Sequence, residues 1–316
     1  MAKKSDRTQE GNSTPAHDQE DIDTPFVLHN VRITSESMPH VEHVESHGDK
    51  WAAVFTDLSM FVPRLPQIIN EAKSKDSWFW RDPGSDAFAA FMLWPNFSPP
   101  GIGSIIEHEA ESDQNVYATS YPVLEGIPVE LSVTGTYQWE NGLEGELTAV
   151  VEEEREISFF DCFYFKTKGA YPTDRPQMFK LAALALLLEP AKDSSVSIRE
   201  GEFYEAQRQE FLEDNPDKTA ADFPKEITIS FRNARLLIPR VYASEYEFRT
   251  AILSVETVTI KETMLYRFLV KLCPEGNGFP CFLYASEHVL NGYLPAVGDD
   301  VQGVLWLSGY SADELG

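Results

Sequence analysis

The chain has 316 residues and a formal net charge of −25, with 26 Lys and Arg against 51 Asp and Glu. A surface of that sign repels phosphate, which argues against non-specific binding to nucleic acid or to an anionic membrane. The apolar content of 42%, with 12% aromatics, is enough to fill a sizeable core, and the length suggests about two domains.

Residues 1–24 are polar and charged, hold no apolar h-region of a secretory signal, and are expected to form a disordered tail. An N-terminal β-rich domain is expected over 25–191. Its first segment, FVLHNVRIT, alternates as a strand does, and WAAVFTDLSMFVP (51–63) is a second extended candidate. LPQIINEAKSK (65–75) suits a short helix. From Trp78 to Ile106 the aromatics stand beside Pro and Gly, residues that interrupt both helix and sheet ladders, so an irregular loop is expected. Trp78, Phe79, Trp80, Phe91, Trp94 and Phe97 would then either cap one end of a core or line an interaction surface.

Beyond residue 116, VYATSYPVL, VELSVTGTYQWE and GELTAVVEE are separated by glycine-containing turns and read as strands. In EISFFDCFYFKTKG, Phe159, Asp161, Phe163 and Phe165 would share one strand face, with Phe160, Cys162 and Tyr164 on the other, a strand covered on both sides. MFKLAALALLLEPA is ambiguous between helix and strand. Residues 192–227 are charged and rich in helix formers, a helical linker interrupted by Pro216.

The C-terminal unit, 228–312, runs through MLYRFLVKL, FPCFLYA, the short helical candidate SEHVLNGYLPA and GDDVQGVLWLSGY. Strands, a short helix and a closing strand are the order of a five-stranded Greek-key barrel of OB type. An internal repeat points the same way. TAVVEEEREISFFDCFYF can be set beside TAILSVETVTIKETMLYRFLV, and YPTDRPQMFKLAALAL beside YLPAVGDDVQGVLWLSG. The second alignment tips MFKLAALALLL toward strand and places another OB-like barrel over 116–191. The fold class expected is therefore mainly β with minor α, built as tandem OB-like Greek-key barrels.

Phe159, Phe160, Asp161 and Tyr164, followed by Gly298, Asp300, Val301, Gly303, Trp306, Leu307 and Gly309, resemble FFDxxY-like and GxDVxGxxWLxG-like stretches of a family of uncharacterised bacterial proteins. The resemblance covers roughly the C-terminal half. It implies the barrel architecture and carries no catalytic residue with it.

Candidate chemistry is sparse. His40, His43 and His47, interleaved with Glu42, Glu45 and Asp49, are metal-ligand types, and on a helix the three histidines would share a face. His108 could join them in space. The competing expectation is a solvated surface loop after Pro39. Asp161 among aromatics could serve as an acid or base, although an Asp there more often caps a turn. Asp299 and Asp300 suit a turn. There is no GxxxxGK[ST], strand-linked GxGxxG, CxxC or HExxH. No cofactor is expected and no catalytic residue is assigned. Cys162, Cys273 and Cys281 are too few and odd in number for a disulfide framework, which points to a reducing, cytoplasmic setting. Cys273 and Cys281, across PEGNGFP, are a candidate pair.

The function expected is a non-enzymatic interaction module, an adaptor or inhibitor with a basic protein partner. The alternatives are a single-stranded nucleic-acid-binding OB protein, stacking bases on strands such as FYF or LYRFL, and a metal-dependent enzyme using His40, His43 and His47. The longest apolar run, LAALALLL, is too short to span a bilayer as a helix.

Overall fold

The structure is a computed structural model, and it describes residues 27–28, 47–72, 79–81, 88–96, 98–109, 114–139, 141–151, 155–192, 195–240, 244–273 and 276–315. The first module comprises β1 (Val27–Leu28), α1 (Gly48–Val54), α2 (Leu58–Phe61), α3 (Leu65–Glu71), β2 (Phe79–Arg81), β3 (Phe88–Trp94), β4 (Gly101–Glu109) and β5 (Gln114–Val123). Next come β6 (Ile127–Gln138), β7 (Gly145–Val151), β8 (Arg155–Asp161), α4 (Tyr164–Thr167) and β9 (Gln177–Pro190). An excursion follows, with β10 (Ser195–Ile198), α5 (Glu202–Asp214) and β11 (Ile227–Ser230). The chain closes with β12 (Leu236–Pro239), β13 (Glu245–Ala251), β14 (Ser254–Ile260), β15 (Thr263–Leu272), β16 (Phe279–Ser286), α6 (Glu287–Leu290) and β17 (Asp300–Ser311).

The fold is mainly β, as the sequence leads one to expect, but its barrels are not in simple tandem. β6, β7 and β8 pair in succession, β9 returns beside β6, and β17 closes the ring by pairing β9 antiparallel and β8 in parallel. This is a closed five-stranded barrel whose fifth strand comes from the C-terminal end of the chain. The remaining pairings form a second ring of the same order. β13 and β14 act as one bent strand. Ile252 N–H donates to Asp299 O at 2.9 Å on one side of the bend, and Leu253 N–H donates to Leu269 O at 2.9 Å on the other. β14 pairs β15, β15 pairs β16, and β13 pairs β17. The strand between β16 and β17 is β9, parallel to the first and antiparallel to the second. Each of β9 and β17 is thus the fourth strand of its own barrel and the fifth of the other.

This exchange accounts for part of the repeat. YPTDRPQMFKLAALAL and YLPAVGDDVQGVLWLSG contain β9 and β17, which occupy equivalent places. The other aligned pair does not correspond, because Thr148 lies in β7 and Thr250 near the end of β13. It also means that the ten-stranded sheet runs unbroken across the expected boundary at 191–228. The charged stretch there does hold a helix, α5, which ends before Pro216. That helix sits between two strands that pair with each other, so the segment leaves and re-enters the body as one arm.

β9 and β17 fit together because their side chains alternate in size across the ladder. Ala185 lies opposite Leu305 and Ala183 opposite Leu307. One core runs through both barrels, from Leu147, Phe159 and Phe179 through Leu181, Ala183, Leu305 and Leu307 to Phe268, Val270 and Leu283. A second core joins the outer faces of the barrels to the N-terminal module, through Trp51, Phe61, Phe91, Tyr121, Phe160, Phe163, Leu184, Tyr284 and Trp306.

Three local expectations are overturned. Residues 78–106 hold three strands, because Pro95, Pro99 and Pro100 fall in the turn between β3 and β4 rather than within a ladder. FAAFMLW lacks alternation since both of its faces are covered, by α3 on one side and by the barrel aromatics on the other. WAAV is helical: Lys50, Trp51, Ala53 and Val54 all bury one flank of α1. FFDCFYF leaves the strand at Asp161, where the carboxylate accepts Phe163 N–H at 3.0 Å and turns the chain into α4. Of FVLHNVRIT, the described part is β1, which pairs in parallel with β5; the rest, and the expected tail, lie outside the described residues.

The close approach of β9 and β17 is tightest at Gly303, where a Cβ would stand 1.9 Å from Leu187 O. Gly303→Ala is therefore expected to lower stability by at least about 3 kcal/mol in a single transition. At Gly135 the nearest atom to a Cβ is 3.6 Å away, and Gly135→Ala is expected to change stability by under about 1 kcal/mol. Urea unfolding followed by tryptophan fluorescence reads both; equal effects would contradict the shared-strand packing.

Candidate functional site

The polar groups of greatest interest lie beneath α1. His47 precedes the helix in a left-handed conformation, and Lys50 follows one turn on. Both are fully or almost fully buried. His47 Nε2 lies 2.5 Å from Glu144 Oε1, which also accepts from Thr119 Oγ1 at 3.2 Å. The second carboxylate oxygen accepts from Asn141 Nδ2 at 2.7 Å. The histidine ring stacks on Trp139, with centroids 5.4 Å apart, meets Tyr121 and Phe160 edge to face, and has Trp306 tilted 6.0 Å away. Lys50 Nζ donates to Glu245 Oε1 at 2.8 Å and to Asp49 Oδ2 at 2.7 Å.

These contacts reach different parts of the fold. Glu144 stands in the β6–β7 turn of the first barrel, and Glu245 opens β13 of the second. Further along α1, Trp51 Nε1 donates to Ser120 O at 2.9 Å, Ser286 Oγ donates to Ala53 O at 2.6 Å, and His288 Nε2 lies 2.6 Å from Ala52 O. A seven-residue helix is thereby bonded to the N-terminal sheet and both barrels. Buried ion pairs add little net stability, because desolvation offsets attraction, but they select one docking geometry. His47 and Glu144 have no exposed side-chain surface, so a substrate cannot touch them in this conformation.

His47 is therefore the buried joint of α1 and not a residue of a solvated loop. His40 and His43 lie outside the described residues, and among the described residues no group of three His, Cys, Asp or Glu is placed to hold a metal ion. His108 is elsewhere, stacked on Phe88 at 4.8 Å and 3.3 Å from Asn115 Oδ1. Lys50, Glu144 and Glu245 were not singled out from sequence. The available signal was the helical spacing of His47, Lys50, Trp51 and Val54, which marks one buried face.

The aromatic candidates separate. Phe91 is completely buried against Phe163 and Phe165, so it belongs to the core and to no surface. Phe79 and Trp80 are half-buried on β2, with Lys168 Nζ 4.3 Å from the Trp80 ring. Trp94 is half-buried at the end of β3, and its Nε1 donates to Glu71 at 3.2 Å. Trp78 and Phe97 lie outside the described residues.

Cys162, Cys273 and Cys281 are all buried and none of them forms a disulfide. Burial pushes the Cys162 and Cys281 thiols well above their ordinary range, which makes them poor nucleophiles. Asp299 holds a turn, accepting from Ala296 N–H at 2.9 Å, whereas Asp300 opens β17 and accepts from the distant Asn233 N–H at 3.0 Å. No described helix is long and apolar enough to cross a membrane. Comparison with protein families, with characterised proteins and with solved structures gives no match for this chain.

Asp161 is buried, and loss of hydration raises its pKa to about 7 despite hydrogen bonds from Phe163 N–H and, at 2.8 Å, from Tyr171 Oη. The native carboxyl holds its proton more tightly than the unfolded one. Its contribution to stability is therefore present at low pH and is lost as pH rises from about 4 to about 7. An asparagine side chain mimics the protonated form, so Asp161→Asn is expected to gain stability relative to the parent as pH rises through that window. Urea unfolding of both proteins at each end of the window checks this; a difference independent of pH would contradict it.

Proposed function

We propose that the chain is a non-enzymatic interaction module that engages a basic protein partner. The observation that carries this reading is the fate of the barrel faces. In OB barrels, the face of the second and third strands is a usual ligand platform. Here that face is consumed by the chain's own packing. On β7 and β8, Glu146, Thr148 and Phe160 are buried. On β15 and β16, Leu265 and Tyr284 are buried, and Tyr284 Oη donates to Glu125 O at 2.9 Å.

The segments considered for base stacking are not open either. Phe163, Phe165 and Phe268 are wholly buried, and Arg267 is committed to Glu125 and Glu256. The barrels then serve as a rigid support, and the acidic exterior is the part available for recognition. A net charge of −25 accelerates encounter with a basic partner and disfavours nucleic acid. Three buried cysteines with no disulfide between them suit a reducing cytoplasmic setting.

Affinity capture of the full chain from its native cell extract, with cross-linking and mass spectrometry, tests the reading. The expected result is enrichment of a basic protein whose retention falls as ionic strength is raised. Recovery of the bait alone, or of nucleic acid as the main companion, would contradict it.

A further inference from the structure

The outer face of the sheet formed by β12, β13, β17 and β9 is covered unevenly. Cross-strand register divides it into three rows. In the first, Leu184, Trp306 and Glu245 lie side by side, and all three are buried beneath the N-terminal module, with Glu245 bonded to Lys50 of α1. In the third, Glu189, Gln302, Arg249 and Leu236 lie side by side. The root of the arm sits over the middle of that row. Arg249 donates to Lys192 O at 2.9 Å and to Phe231 O at 3.1 Å, and Gln302 Oε1 accepts Lys192 N–H at 3.2 Å.

The row between them has no cover over it, although Val304 within it is half-buried. Leu187, Val304, Glu247 and Ile238 stand on adjacent strands in one line. Leu187 is 48% exposed and Ile238 50%, with Leu236 at 44% beside it. Glu247 is exposed and has no ion-pair partner among the described residues. Strands lie about 4.8 Å apart, so the four side chains span about 14 Å. That repeat is close to the roughly 5.4 Å pitch of an α-helix lying across the strands, whose successive turns would meet successive floor residues.

We infer that this strip is a docking site for an amphipathic helix with an apolar stripe and a basic residue placed against Glu247. The inference rests on the reading of the chain as an interaction module and names the kind of segment it takes. Apolar contact comes from Leu187, Val304 and Ile238. The carboxylate at the third position selects Lys or Arg over Asp or Glu, because burying it unpaired beneath the helix is costly.

The probe is a labelled leucine–lysine amphipathic peptide of about 18 residues, long enough to hold helical structure on a surface, titrated against the full chain by fluorescence anisotropy. The parent is expected to bind, and Leu187→Glu combined with Ile238→Glu to weaken binding roughly tenfold. Attraction by net charge alone gives the opposite sign, since the double variant is more acidic. Unchanged or tighter binding therefore overturns the inference, as does absence of binding to the parent. Hydrogen exchange gives a second reading that needs no variant: the peptide should protect amides in 236–239, 245–251 and 300–306, and protection confined elsewhere overturns the assignment. Self-association of the chain that the double variant abolishes would give the strip to a second copy instead. Cellular capture of a basic partner by the double variant, undiminished, would sink the strip alone; capture failing with the parent chain would sink the interaction-module reading itself.

Discussion

The antiparallel pairing of β9 with β17 carries the rest of the molecule. Each strand contributes to two rings at once, lying beside the first strand of its own barrel at one end and beside the third strand of the other barrel further on. Strands used in this way cannot slip register without exchanging core and surface in both barrels. The demands show in the residues: alanines facing leucines, and Gly303 where the backbone of β9 comes within reach of a Cβ. The long strands, with apolar residues on both faces, follow from the same geometry.

Upon this pair the N-terminal module is laid as a cover. Its sheet and helices fill the outer faces of the barrels with aromatic rings, while α1 and the His47 before it set the alignment through a buried histidine–carboxylate contact to one barrel and a buried Lys50–Glu245 ion pair to the other. Burying charge in this manner favours specificity of docking over stability. The consequence for the surface is direct: barrel faces that could have been ligand platforms become interior, while the row of Leu187, Val304, Glu247 and Ile238 lies outside the cover.

Much of the barrel architecture was legible in the sequence, because MLYRFLVKL shows period-two patterning, turn residues separate the strands, and the segments leading into β9 and β17 share a turn with Tyr and Pro and a polar stretch. The strand exchange was not legible, since register between distant segments leaves no local mark; Leu181 looks alike whichever strand lies beside it. Residues 78–106 misled for another reason: prolines clustered in one turn look like interruptions when read along the chain. His47 misled because its acidic partner lies 97 positions away. From composition alone, a histidine among glutamates looks solvated, and only the buried face of α1 reveals the joint.

If each barrel is completed by the other's strand, neither half of the chain should fold by itself. The direct measurement divides the chain within the arm, between Asn215 and Pro216, and follows urea unfolding of each fragment alone and of the two mixed. The account predicts no cooperative transition for either fragment and recovery of a single transition, with hydrogen-exchange protection in β9 and β17, on mixing. A cooperative transition in 1–215 or 216–316 alone, with that strand protected, would contradict it.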